Sequence, residues 1–340
     1  MFSLVILTQP ALRSQAPGDD NKPIQIGSID YFGYAGLNLK QVEDHLPLHV
    51  GDSVSFNSLD RKEDAIQHVV KQLTGKPATD IATVCCDGAH RWMIYIGLSG
   101  ASSRPLQVNP LPHGQDRLED AALKLYERNM AALSVAVRRG ASSEDDSNGY
   151  TLSADPRMRQ VELEIRAYAV SHGEELERVL QNSFDAQQRR VSALLLGYAD
   201  RSAMQIQCLT YASADPDDTV RNNAMRALAV LASAKQTGGI DVDPTSFIAM
   251  LYSGQWTDRN KSSFLLSQLT STRDPILLKK LGEEALTPLI EGARWSDPGH
   301  SMAFVAVLGR IEGVPDAQLD LTQKPQIIEA AEKALHEENR

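Results

Sequence analysis

Asp217-Asp218-Thr219-Val220-Arg221-Asn222-Asn223-Ala224-Met225-Arg226-Ala227-Leu228 is the stretch on which the fold turns. The aspartate pair supplies an N-cap and a negative charge at a helix N-terminus, where unpaired backbone N–H groups and the helix dipole attract both. Val220, Ala224 and Leu228 follow at four-residue steps and make one apolar stripe. The stretch runs into Leu228-Ala229-Val230. The same leucine–small-residue step stands at Leu196-Gly197-Tyr198, Leu266-Ser267-Gln268 and Leu308-Gly309-Arg310, and successive leucines lie 32, 38 and 42 residues apart. A drifting period of this size predicts stacked helical hairpins, each burying its apolar face on its neighbour. Such a solenoid usually presents a surface and does no chemistry.

Composition agrees with a globular chain. Its 340 residues set an expectation of about two or three domains. Hydrophobic residues make up 42% and charged residues 23%, and the formal net charge of −10 repels nucleic acid and anionic lipid. No apolar run approaches the roughly 18 residues of a membrane helix. Residues 1–23 read as a clipped export signal and a polar lead-in: Met1 to Leu7 is mostly apolar, and Ser14-Gln15-Ala16 meets the small-X-small rule of signal cleavage, although the basic n-region is missing. A cytosolic N-terminus is the competing reading. Three cysteines make no disulfide framework. Cys85 and Cys86 are expected on one strand with side chains on opposite faces, and Cys208 on an apolar helix face, all three as small hydrophobes.

Residues 24–100 alternate between strand and helix patterns. Ile24 to Tyr34 reads as a strand with a slip at Gly27-Ser28. Asn38 caps a helix through Val42 that stops before Pro47, and Ser58 is expected to cap a second helix ending at Gly75. Ile81 to Cys86 and Arg91 to Leu98 are strands around an Asp87-Gly88 turn. This β-α-α-β-β order resembles the POTRA domain of outer-membrane assembly, secretion and cell-division proteins. The resemblance rests on Ile26-Gly27-Ser28-Ile29-Asp30-Tyr31-Phe32-Gly33, on Leu46-Pro47-Leu48-His49-Val50-Gly51-Asp52, and on the closing hairpin. It implies an α+β domain that captures an extended partner segment along its second strand, here at Ile81, Thr83 and Val84, where free backbone groups would supply the affinity.

Residues 101–115 carry three prolines and read as a linker. Residues 116–182 read as a helical entry segment and 183–340 as the repeats. The Asp217 stretch resembles the second helix of a HEAT repeat, in the variant shared with phycobilin lyases. Gln188-Arg189-Arg190-Val191 is similar one unit earlier, while Asp258-Arg259-Asn260-Lys261 and Asp297-Pro298-Gly299-His300 open looser units. In related solenoids these second helices line the concave face. Two readings compete for their basic residues. Arg189, Arg221 and Arg259 are expected to pair with an aspartate or a carbonyl of the adjacent unit. Asn222, Asn223 and Arg226 are expected to face solvent as a partner-binding groove.

Other constellations are weak. Glu144, Asp146, Asn148, Gly149 and Asp155 fall on a calcium-loop template, but with the acid types exchanged at both ends, and a Ser/Asp/Gly-rich connection explains them without a metal. His45 and His49 are separated by Pro47 and share no helical face. No phosphate loop, dinucleotide fingerprint or nucleophile elbow occurs. The sequence therefore leads to an α+β domain followed by an all-α HEAT-like solenoid. Its expected role is a non-enzymatic protein-interaction scaffold at the cell envelope, without cofactor, metal or catalytic residue. A bilin-lyase-like enzyme subunit, with Cys208 as nucleophile, and a cytosolic assembly adaptor are the alternatives.

Overall fold

The computed structural model describes residues 23–141, 143–234 and 240–338. The export reading of Met1 to Ala16 lies outside them. A small N-terminal α+β region with a curled four-stranded sheet precedes a long helical region. The described residues cluster into two compact units: one holds 107–247 and 264–271, the other 23–106, 248–263 and 272–338.

The second unit contains the sheet. Strand β1 (Ile24–Phe32) carries a register shift between Ile26 and Ser28, at the slip in its alternation. A side chain at Gly27 would put its Cβ 2.6 Å from Asp87 Oδ2 and 2.8 Å from Arg91 Cβ, so the close approach of the Asp87–Arg91 turn requires glycine. Helix α1 (Leu39–Glu43) is capped by the Asn38 side chain. Strand β2 (Ser53–Val54) leads into α2 (Phe56–Thr74). Ser55, not Ser58, caps that helix; Ser58 sits three residues in and answers the Ser55 backbone, so both serines of a capping box are used. Strands β3 (Asp80–Val84) and β4 (Trp92–Gly97) close the sheet in the order β2-β1-β4-β3, with β1 parallel to β4 and the other pairs antiparallel. Strand β3 ends before the cysteines. Cys85 and Cys86 lie past it and are joined by a disulfide, which corrects the expected pair of unlinked side chains on opposite faces.

Helical residues complete this unit's core. They come from the first part of α10 (Trp256–Leu269, with α9 at Thr245–Met250 before it), and from α11 (Pro275–Ala293), α12 (Pro298–Ile311) and α13 (Lys324–Glu338). Tyr95 stacks on Trp256 with ring centroids 4.8 Å apart, and Trp295 packs edge-on to Tyr95, Phe32 and Phe304. The Trp295 indole N–H donates to Tyr31 O at 3.0 Å, which satisfies the one polar atom of a buried tryptophan.

The first unit is helical apart from one hairpin. It contains α3 (Asp120–Arg138), strands β5 (Glu144–Asp145) and β6 (Leu152–Ser153), α4 (Pro156–Ser171), α5 (Gly173–Asn182), α6 (Ala186–Leu196), α7 (Ala203–Ala212) and α8 (Asp218–Ser233). Asp155, Asp185, Ser202 and Asp217 cap α4, α6, α7 and α8 through their side chains. Helix α6 packs on α5 and α8. The leucine–small steps sit near the C-terminal ends of α6, α8, α10 and α12, with Leu196, Leu228, Leu266 and Leu308 all fully buried.

Residues 107–115 do not float as a linker. Asn109 donates from its backbone to Ala214 O and from its side chain to Tyr211 O, each at 2.7 Å. Gly114 donates to Asn182 O and accepts from Phe184 N. Pro110 and Pro112 keep the strand-like conformation between those ties without needing a hydrogen-bond partner of their own.

Candidate functional site

The arginines of the repeat pattern come first because they fix what is left over. Arg189 forms a two-pronged ion pair with Asp215 (2.7 and 2.9 Å) and donates to the carbonyls of Ser183 and Phe184, six and five residues upstream. Arg221 repeats the geometry, donating to Asp215 O at 2.9 Å and Pro216 O at 3.2 Å. Arg259 donates to Ser253 O, again six residues upstream, and pairs with Glu291 at 3.1 Å. All three side chains are buried. Each braces the turn that precedes its own helix, not the adjacent unit as expected from sequence; Arg189 and Arg259 also reach onward, to Asp215 and Glu291. The fourth unit has Ser301 at the equivalent position; there Lys324 Nζ donates to Trp295 O at 2.6 Å, six residues before Ser301, and to Ser301 Oγ at 3.2 Å. Arg190 is also committed, with both prongs on Asp217.

Among the strand candidates, β3 is an edge strand of the sheet, yet its side chains are not open. Ile81 is half-buried; Thr83 and Val84 have no exposure, and the Thr83 hydroxyl meets no partner among the described residues. The strand's first residue, Asp80, accepts from Trp256 N at 2.8 Å.

The helix candidates cluster. Asn222, Asn223 and Arg226 lie on α8, all half-buried. Asn222 donates to the Asn223 side chain, and Asn223 donates to Arg190 O, both at 3.1 Å. Asn223 and Arg226 line a shallow, partly open depression together with Thr151, Leu194, Gly197, Tyr198, Ala227 and Val230, with room for about 20 Å³. That is space for about one water, far below the roughly 300–1,000 Å³ of small-molecule sites.

Arg226 is not a solvent-facing cation. Its guanidinium pairs with Glu144 of β5, whose side chain is almost fully buried. Behind that pair lies a second carboxyl. Glu162 of α4 is fully buried, accepts from Ser153 N at 2.6 Å and from the Tyr198 hydroxyl at 3.3 Å. Burial pushes the Glu162 carboxyl up to about 7; Ser153 N–H and Arg226 oppose the shift, and the neighbouring Glu144 adds to it. This group was missed from sequence, although a signal existed. Met158, Val161, Glu162, Ile165 and Ala169 are the buried face of α4, and Glu162 is an acid on that stripe.

The remaining constellations resolve as framework. Glu144 is spent on Arg226, Asp155 caps α4, and Asp146 accepts from Thr151, so the calcium template is taken apart by its own hydrogen bonds. No group of three or more metal-ligating side chains gathers among the described residues. Cys208 is sealed and accepts from Gln181 Nε2; burial pushes its thiol up to about 11, which makes it a poor nucleophile at neutral pH. No described helix is long and apolar enough to cross a membrane. No protein-family model matches the chain, and no curated protein matches it either.

Proposed function

We propose that this chain is a non-enzymatic protein-interaction scaffold. In this reading a POTRA-like module is joined to a HEAT-like solenoid, and the face of α6 and α8 around Asn222, Asn223 and Arg226 receives a protein partner. What supports it is the recurring brace at Arg189, Arg221 and Arg259. A side chain buried at three successive positions with the same carbonyl geometry is a device for stacking repeats, and repeats of this kind serve as surfaces. The depression at Asn223 adds a mixed lining, with amide, hydroxyl and guanidinium groups beside apolar side chains, and it is too small for a free metabolite. Export to the cell envelope belongs to the same reading and rests on Met1 to Ala16.

A photo-crosslinking residue placed at Asn222 in the full-length chain tests the proposal in cells. The expected result is one dominant linked protein at Asn222, absent when the probe sits at the exposed Leu163 and lost when Asn223→Trp fills the depression. Equal labelling at Asn222 and Leu163, or labelling unaffected by Asn223→Trp, would remove the α8 face as the binding surface. The mature N-terminus, read from the same sample, decides export.

A further inference from the structure

Cys85 and Cys86 sit at a register fault in the β3–β4 hairpin of the second unit. The ladder of β3 on β4 reaches its end with Val84 opposite Met93. The loop beyond is closed one residue out of that register, where Asp87 N donates to Arg91 O at 2.9 Å. Within the loop His90 N donates to Asp87 O at 2.9 Å, and His90 takes a positive φ of 60°. This is an ordinary three-residue hairpin loop, a type I turn followed by a left-handed residue. The Asp87 side chain braces it, accepting from Ala89 N, Arg91 N and Arg91 Nε, each at 2.9 Å. Between the ladder and the loop, Cys85 and Cys86 span on one side what Trp92 spans on the other. Two residues facing one make a β-bulge. A regular strand sends successive side chains to opposite faces, and the bulge interrupts that alternation, so neighbouring sulfurs can meet.

The bond does little for the framework. A disulfide stabilises chiefly by restricting the unfolded chain, more for longer loops, and one between neighbours encloses almost no chain. The ladder and the Asp87 brace already hold the hairpin on either side of it. Its two sulfurs are unequally placed, since Cys85 is 4% exposed and Cys86 is half-buried. We propose that the Cys85–Cys86 pair is a thiol–disulfide exchange site, with a dithiol as reductant and Cys86 as the sulfur attacked. One thiolate of the dithiol attacks Cys86 Sγ; the Cys85–Cys86 bond breaks, and Cys85 leaves as a thiolate and takes up a proton. The second thiol of the reductant then resolves the mixed disulfide. Cys86 is released as a thiol, and the reductant departs as its own disulfide. Two electrons and two protons have passed to the protein. Cys208 does not compete, being fully buried in the first unit with its thiol pushed up to about 11. The site stands whether or not the α8 face takes a partner.

Peptide mass spectrometry of the full-length chain after iodoacetamide treatment tests this in two steps. Alkylated in denaturant without reductant, the peptide spanning Cys85 and Cys86 should carry no label. When the folded chain is first treated with dithiothreitol, the dithiol removed, and the chain then alkylated in denaturant, the same peptide should carry two. Cys85→Ser and Cys86→Ser each leave one thiol of the pair and test the asymmetry. Oxidised glutathione should modify Cys86 in the first variant more than about tenfold faster than Cys85 in the second, because the exposed sulfur is the one reached. The two steps on the unaltered chain decide the matter even if a variant fails to fold. Two labels without reductant, or a bond that resists dithiothreitol until the chain is unfolded, would overturn the exchange site. Equal rates in the two variants would overturn the assignment of Cys86.

Discussion

Two buried guanidinium–carboxylate centres in this molecule differ in what lies beside them. In the second unit Arg259 meets one carboxylate, Glu291, and that carboxylate also accepts from Gly33 N, Tyr34 N, Ala35 N and the Ser102 hydroxyl. Burial works against the Arg259 charge, and Glu291 offsets it. Charge is matched one to one and every lone pair is used. In the first unit Arg226 meets Glu144, and the buried Glu162 carboxyl nearby is raised by its burial, with Glu144 adding to the shift. The first arrangement fixes a loop to a helix under all ordinary conditions. The second makes its own stability depend on a proton. The lesson is that a buried ion pair gains a proton-dependent neighbour when a further carboxyl is buried beside it.

The largest expected effect breaks the matched centre. Glu291→Gln removes the charge opposite Arg259 and halves the acceptors offered to residues 33–35. Leaving a buried guanidinium uncompensated costs about 3–5 kcal/mol. All three tryptophans, Trp92, Trp256 and Trp295, lie in the second unit, so denaturant unfolding followed by tryptophan fluorescence isolates the loss to that unit. A change under about 1 kcal/mol would show that the four donors, and not the charge pair, hold the loop.

Next comes the centre with the further carboxyl, where a comparable substitution should stabilise. Glu162→Gln abolishes a charge that the fold disfavours. With the carboxyl raised to about 7, folding takes up a proton between the ordinary glutamate value and that point. Stability is therefore full at acid pH and declines as pH rises. The substitution should recover up to about 3 kcal/mol at neutral pH and nothing at about pH 4. Thermal unfolding of the two proteins across that range gives the crossing.

A third prediction sharpens the contrast between the units. His300, buried beside Trp256 and Trp295, takes the Tyr95 hydroxyl at its Nδ1 (2.6 Å), and burial pushes the imidazole down to about 3. A histidine held neutral when folded must stay neutral while the unfolded chain protonates below about pH 6.5. The second unit therefore loses stability as pH falls from there, by about 2 kcal/mol at pH 5. Buried Asp30 and Asp297 are raised and push the other way as pH falls from their raised values toward the ordinary aspartate one, so their Asn variants are compared alongside. Between about pH 7 and pH 5 the tryptophan-reported midpoint should fall while the first unit, where Glu162 takes up its proton, gains stability. Parallel movement of both would refute the assignment of opposite signs.

Much of the framework was legible in the sequence. The Asn38 cap, the slip at Gly27-Ser28, the stop at Gly75 and the buried leucine–small steps are local features, and local chemistry decides them. For Arg189 and Arg221 the sequence pointed to partners in the adjacent unit, while their carbonyl partners lie only five and six residues upstream. What escaped are the long-range partners. Arg226 was read as solvent-facing because nothing near it in sequence is acidic enough to claim it, and Glu144 is 82 residues away. Glu291 caps Gly33 across 258 residues. The start of α2 failed for a different reason: Ser55 and Ser58 both satisfy an N-cap pattern, and only the reciprocal hydrogen bonds separate them.

The smallest expected effect concerns Lys324, which does at Trp295 O what an arginine does in the three earlier units. Its ammonium comes from another helix, sits half-buried, and is pushed down from the usual lysine range by burial, against the pull of Asp30 and Asp297. Lys324→Met keeps the stem and removes the donor, so it should cost about 1–2 kcal/mol, the worth of a charged hydrogen bond to a carbonyl. Arg221→Met should cost more, because its guanidinium serves the carbonyls of both Asp215 and Pro216. Denaturant midpoints of the two variants rank the braces. If Lys324→Met proved as damaging as Arg221→Met, Lys324 would be an equal member of the ladder. If it were silent, the fourth unit would be held by packing alone, with Leu308 and Phe304 supplying what the earlier units draw from a cation.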